Sequence, residues 1–414
     1  MRSPMIRVLC TAMALAGLAG CTPSVTPTPA PAPLTAVPVA LTLTGAAAKQ
    51  RITVGLLVGP VAGEGSEYRD ASEGTRVAAY RFDMTGADVE IAVALDDGTA
   101  DGAADALNQL ASQNVAGIVV ASSGPHIQQA LALTHIAQPI LLPYETPGSA
   151  DAGAWATGPI QAAVSHAVTQ ALTDLGVTHP YLIADPAQPA LDVSAAATQP
   201  VASATGEQVV DAIAAGTADS VIIDAPAADQ ARLVTDIQQH LAGRQTPILL
   251  TPQALTPAFA QAVLASGPPS TTLVAVGANT SDVAALTTDA AGAHISAFLT
   301  GVRLAASDAN CLNVFKDAPF SQAAGQADIA SHDAVVALVR AVEKAGSTDP
   351  ASVRQALAGM TISPDDGLAG PALGFTTPDA LSSNDVQPLY ASTEDPGLRP
   401  SDVSSTMLYW FPLA

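Results

Sequence analysis

Basic residues are scarce in this chain, with 15 Lys plus Arg against 37 Asp plus Glu among 414 residues and a formal net charge of -22. Nucleic-acid binding by counterion release needs Lys and Arg gathered on one surface, so that class is excluded. Long apolar runs are missing as well. The hydrophobic fraction is 49%, but it is carried by dispersed Ala and Val, and no internal run reaches the ~20 apolar residues of a helical span. Cysteine is nearly absent: of three, Cys10 and Cys21 lie at the start, so no disulfide framework can form and Cys311 is left as a small buried hydrophobe. From Phe82 to Ala231 there is no Lys or Arg at all. An anion bound by that stretch would have to be held by amides and hydroxyls. The length suits two domains.

The first fifty residues contain Arg2, Arg7 and Lys49 but no acid, so the remaining body has 12 basic and 37 acidic residues. Arg2 and Arg7 precede an apolar stretch from Val8 to Ala19, and the segment ends Leu18-Ala19-Gly20-Cys21. These are the charged, apolar and small-residue parts of an export signal. The last four residues resemble a bacterial lipobox, which implies cleavage after Gly20 and a diacylglycerol on the Cys21 sulfur. The same residues also read as an ordinary signal cut elsewhere or an uncleaved anchor. Residues 22–49, which include TPSVTPTPAPAP, lack acids and apolar periodicity and read as an extended polyproline-like tether. The expected divisions are a signal over 1–20 and an anchor with tether over 21–50.

Beyond Arg51, short aliphatic runs alternate with helical periods, the pattern of α/β parallel sheets covered on both faces. Strands are expected at Ile52–Val58, Val89–Leu95, Val115–Ala121, Pro139–Leu142, Tyr181–Ala184, Ser220–Ile223, Pro247–Leu250 and Thr272–Val276. Helices are expected near 74–82, 101–113, 126–137, 160–175, 283–305 and 331–345, with Asp349-Pro350 opening another. Two doubly wound, Rossmann-like sheets joined by several crossings follow, and ligands in such sheets sit beyond the carboxyl ends of the strands.

The succession VGLLVGPVAG (54–63), LDDGTADGAADALNQL (95–110), VAGIVVASSG (115–124) and PILLPYETPG (139–148) resembles the first lobe of type I periplasmic solute-binding proteins of the leucine/isoleucine/valine class. SHDAVVALVRAVEKAGSTDPASVRQALAGM (331–360) is similar to a late helix pair of that family. The resemblance implies two lobes joined by a multi-crossover hinge. The first would be about 51–160 plus 278–375, and the second about 161–277 plus 376–414. It implies an α-carboxylate site at Ser123, Tyr144 and Thr146, an aromatic wall from Tyr68, and a hinge-side residue at His332. It further implies a small-molecule ligand, an ABC permease as partner, attachment to the membrane through the lipid, and no cofactor. Ser122 and Ser123 also read as simple caps of the next helix, and Thr146 as a turn residue beside Pro147.

The second lobe departs from that pattern. Pro189 stands where the family has a tyrosine, and Gln253 stands at its acidic position. A neutral Gln accepts a hydrogen bond from an ammonium but does not neutralise it. The segment from Asp185 to Val209 is also short for a helix plus strand. An uncharged or amide ligand, or none, fits Gln253 better than a branched-chain amino acid. No H-E-x-x-H, G-x-S-x-G or phosphate-loop spacing occurs, and no enzyme is expected. Two functions remain at this level: capture of a small polar solute for an ABC importer, or a degenerate binding fold serving as an envelope scaffold or sensor.

Overall fold

Aliphatic runs of three to seven residues, each ended by a small or polar residue, form parallel strands wherever helices can cover both faces. The computed structural model describes residues 39–44, 51–145, 153–400 and 407–412. The expected signal, Cys21 and Thr146 lie outside the described residues.

The first sheet contains β1 (Ile52–Val58), β2 (Val89–Leu95), β3 (Ile118–Ala121), β4 (Ile140–Leu142) and β5 (Ala154–Ala156), in the order β2-β1-β3-β4-β5 and parallel throughout. Its helices are α1 (Gly74–Asp83), α2 (Ala100–Ser112) and α3 (Pro125–Leu133). The chain then crosses through α4 (Gln161–Asp174) to a second sheet. There β6 (Pro180–Ala184), β7 (Ala197–Pro200), β8 (Ser220–Asp224), β9 (Ile248–Leu250) and β10 (Leu273–Ala278) run parallel, with α5 (Gly206–Ala214), α6 (Ala227–His240) and α7 (Pro257–Leu264) between them.

It returns to the first lobe as α8 (Ala290–Ser307), α9 (Ile329–Ala345) and α10 (Pro350–Leu357), followed by a small hairpin, β11 (Thr361–Ile362) with β12 (Leu373–Gly374). A third crossing adds β13 (Val386–Ser392), antiparallel to β10, and β14 (Tyr409–Pro412), antiparallel to β13, giving the order β14-β13-β10-β9-β8-β6-β7. The two-lobed α/β architecture expected from the alternation is therefore present.

Local signals explain the helix starts. Thr99 accepts from the Gly102 amide ahead of α2, Thr205 and Gln208 form a reciprocal capping box at α5, and Asp328 and Asp349 accept from Ser331 and Ser352 at α9 and α10. Helix α9 crosses β1 and β3 and packs on α1. Its Val335, Val336, Leu338 and Val339 are fully buried, each contributing about 1.5–3 kcal/mol of transfer free energy. A Cβ on Gly74, at the start of α1, would meet the Asp328 carbonyl oxygen, so only glycine allows that approach.

No helix joins β6 to β7. Residues 185–196 are irregular, with Pro186 and Pro189 breaking any helical hydrogen-bond ladder. Within the stretch expected as a tether, residues 39–44 lie against the first lobe. Leu43 is buried, its amide donates to the Arg81 carbonyl, and Arg81 Nε and Arg340 Nη1 donate to the Leu41 and Thr44 carbonyls at 2.8 and 2.7 Å. Among the described residues no helix is long and apolar enough to cross a membrane.

Candidate functional site

The carboxyl ends of both parallel sheets open onto one cavity of about 250 Å³, lined from both lobes. In each sheet the strand order reverses beside the first strand, between β1 and β3 and between β6 and β8, where a crevice for a ligand is expected. A volume just under the ~300–1,000 Å³ of drug-sized pockets suits a metabolite.

Much of the first-lobe wall is braced by hydrogen bonds within the chain. Tyr68, from the loop after β1, stacks on Tyr144, from the loop after β4, with ring centroids 4.1 Å apart and planes 15° from parallel. The Tyr144 hydroxyl donates to Asp328 Oδ2 at 2.6 Å, and Asp328 Oδ1 accepts from the Ser331 amide and hydroxyl. Burial raises the pKa of both tyrosines well above the usual phenol value, and burial also raises the Asp328 carboxyl. Neighbouring Asp333 accepts from the Ala369 and Gly370 amides at 2.8 Å each.

At the start of α3, the Gly124 amide donates to Glu145 Oε2 at 2.6 Å, and Gln128 Nε2 donates to Glu145 Oε1. Gly65 (φ +84°) lies so close to Ser122 and Ser123 that a Cβ there would fall 3.0 Å from the Ser123 nitrogen and closer still to the Ser122 hydroxyl. Ser122 and the His126 ring nitrogen Nε2 both meet Asp96 Oδ2, at 2.8 and 2.7 Å. Burial opposes ionisation of Asp96, but His126, the Gly98 amide and Ser122 outweigh it and hold the carboxyl below its ordinary range; Asp96 in turn raises the His126 pKa. Serine and histidine compete for one carboxylate oxygen here, so the trio braces a loop and does not form a relay from nucleophile to base.

The second-lobe wall differs. Asp224, the last residue of β8, is 3% exposed, and its Oδ2 has no hydrogen-bond partner. Burial pushes its carboxyl up to about 6, with Thr251 and Gln161 lowering it and Asp185 adding to the rise. Gln253 Oε1, after β9, is likewise buried without a partner; three more unpartnered atoms of the lining, Thr157 Oγ1, Ser281 Oγ and Gln326 Oε1, come from the first lobe and the crossings. Arg399, the one basic residue of the lining, is engaged: Nε and Nη2 hold Asp282 at 2.6 and 2.9 Å, and Nη1 donates to the carbonyls of Ala324, Gly325 and Ala327. Across the lobes, Gln188 Nε2 donates to Glu64 Oε1 at 3.0 Å, and burial raises the Glu64 carboxyl.

Tyr68, Ser123, Tyr144 and Gln253 thus line one cavity. His332 does not. It is fully buried beneath the wall, with Nδ1 2.7 Å from Asp333 Oδ1 and Nε2 2.9 Å from Arg81 Nη1. Burial lowers its pKa, and a neutral ring that donates to Asp333 and accepts from Arg81 satisfies all three groups. The cleft-facing neighbour is Asp333, one residue along the same helix. Ser123 does not cap α3 either: Gly124 is the N-cap and no side chain closes it. Asp224 went unsingled in the sequence, although an acid closing an apolar strand (SVIID) beside a switch point was the available signal. Among the described residues no His, Cys, Asp and Glu group is arranged for a metal ion.

Residues 51–389 match the family described as Periplasmic binding protein. The chain belongs to that family. No curated protein matches this binding protein, whereas solved structures do. One is the branched-chain amino acid transporter substrate-binding protein LivJ of Streptococcus pneumoniae in complex with isoleucine, at 14% identity, 87% of this chain and 100% of that one, TM-score 0.61. Another is an ABC transporter solute-binding protein of Rhodopseudomonas palustris in complex with 4-hydroxybenzoate, at 13% identity, 88% and 96% coverage, TM-score 0.61. A third is an ABC transporter substrate-binding protein of Desulfitobacterium hafniense complexed with Leu, at 12% identity, 87% and 100% coverage, TM-score 0.58. At such identities the likeness concerns the fold. The family is one of extracytoplasmic solute-binding proteins, and this chain is a member of it.

Proposed function

We propose that this protein captures a small polar solute between its lobes for an ABC permease, held at the outer face of the cell membrane by a lipid on Cys21. The observation that carries the reading is the set of buried, unpartnered polar atoms on residues lining a cavity of about 250 Å³ where two switch points face each other. Leaving a buried polar group unpaired costs about 1–3 kcal/mol, a cost that a hydrogen-bonding ligand removes. Tyr68 and Tyr144 supply an aromatic wall, and Ser123 and Gln253 polar edges. The lobes divide at about 51–160 plus 278–375 and about 161–277 plus 376–414, so closure is a hinge motion about three crossings.

A thermal-shift screen over amino acids, amides, amines, short peptides and sugars tests the reading. A ligand at 100 times its Kd stabilises by about 2.7 kcal/mol, an easily seen rise in Tm. If no compound in a broad panel moves the melting curve, solute capture is refuted. The anchor is tested separately: Cys21→Ala should release the protein from the membrane fraction.

A further inference from the structure

The two walls of the cavity ask for different chemistry. At the first-lobe wall the group that would receive a carboxylate is already engaged by the chain itself. The Gly124 amide, at the start of the nine-residue helix α3, donates to Glu145 Oε2 at 2.6 Å. Beside it, Gly65 lies against the Ser123 nitrogen and the Glu64 side chain lies against Gly124. A ligand carboxylate placed there would meet Glu145 and Glu64 instead of free amides. The lining offers no substitute cation, because Arg399 is clamped by Asp282 and three carbonyls.

At the second-lobe wall Asp224 Oδ2 and Gln253 Oε1 are acceptors buried without donors. Elsewhere in the lining Gln326 Oε1 is a third such acceptor, while the unmet hydroxyls of Thr157 and Ser281 can either donate or accept. The ionisable residues of the lining are Glu145, Asp224, Asp282, Asp328, Asp333, Tyr68, Tyr144, Tyr409 and Arg399, so acid outnumbers base even after the Arg399–Asp282 pair is set aside. A buried carboxylate with an unpaired oxygen attracts a cation more strongly than an exposed one, because neither charge is well screened there.

Resting on the solute-capture reading above, we infer that the ligand is a small organic cation rich in N–H donors and without a carboxylate, an amine or amidinium whose charged end meets Asp224 and whose remaining donors meet Gln253. Asp224 is thereby a specificity-determining residue, and Glu145 selects against amino acids by filling the anion cradle.

Three matched pairs differing only in the α-carboxylate test this: agmatine with arginine, putrescine with ornithine, and isoamylamine with leucine, each titrated by calorimetry into the full-length protein. The expected result is that at least one decarboxylated member binds ten times or more tighter than its amino acid, and that Asp224→Asn weakens it tenfold or more. A second readout does not depend on a variant that folds. Amine affinity in the wild type should fall as pH drops below about 6, when Asp224 takes up a proton; Asp185 is the other titratable group acting on it, with Thr251 and Gln161 as its polar neighbours.

Glu145→Ala should in turn improve binding of the amino-acid members by exposing the Gly124 amide. If an amino acid binds as well as or better than its amine in the wild type, this inference is overturned while solute capture stands. If none of the six binds but a solute bearing a carboxylate does, the same holds. If nothing in the broad screen binds, both fall.

Discussion

The two walls of the cleft are built from similar residues and finished differently. On the first-lobe side Tyr144, Asp328 and Ser331 close one hydrogen-bonded group, and His332, Asp333, Ala369 and Gly370 close another. On the second-lobe side Asp224 and Gln253 end in atoms that nothing in the chain meets. Buried polar groups are ordinarily paired. The difference teaches that one wall is a preorganised support, whose integrity is a matter of folding, while the other has given up some stability for recognition. Mutations should therefore have opposite signs on the two sides.

The largest effect is expected at the satisfied wall. Asp333→Ala removes the acceptor of two buried amides and the partner of His332, and should cost about 3–5 kcal/mol, read by urea unfolding. A loss below 1 kcal/mol would show that the wall is not held as described. Next comes Asp224, for which the sign is set by linkage. Its folded pKa of about 6 lies above the ordinary 3.8, so the folded state binds that proton more tightly than the unfolded chain. The stability linked to it is full below about 4 and lost as pH rises through 6.

Without ligand, Asp224→Asn should then be about 1–3 kcal/mol more stable than wild type at pH 7.5, and the gain should vanish near pH 4. Comparing variant with wild type at each pH cancels the parallel contribution of Glu73, whose burial in the first lobe lifts its pKa to about 8. Tyr144→Phe, which leaves Asp328 one donor short, should cost about 1.5–3 kcal/mol at neutral pH. The smallest change is Thr157→Val. Its hydroxyl is buried and unpartnered, so the swap should be neutral or stabilising by up to about 1 kcal/mol. A clear loss in thermal melts would mean that Thr157 Oγ1 has a partner after all.

The sequence was most legible where periodicity and burial coincide. Ile52–Val58 and Val89–Leu95 were read with the bounds they have, because a strand covered on both faces is a nearly unbroken aliphatic run. Helix α9 was visible from its apolar faces, and α10 from the Asp349-Pro350 at its start. By contrast β7 (ATQP) sits at a sheet edge, mostly exposed, with no apolar alternation to betray it. Strands β13 and β14 owe their place to a chain return that no local pattern encodes.

At the site, sequence order brought Tyr68, Ser123, Tyr144 and Gln253 to one cavity. His332 and Asp333 are harder to separate in sequence: adjacent positions on a helix face about 100° apart, and only the fold shows that Asp333 lines the cavity while His332 is buried behind it. That Glu145 would turn back onto Gly124, 21 positions earlier, depended on the fold of two loops and was invisible in one dimension.

Residues 39–44 are fastened to the first lobe by Arg81, Arg340 and the burial of Leu43. A lipid at Cys21 would therefore mount the molecule by one jaw only. The first lobe would then be the fixed half of the clamp, and the second lobe, carrying the unmet acceptors, the half that swings. If the proposed capture of a solute for a permease holds, closure would reach that permease as movement of the second lobe against a first lobe fixed to the membrane.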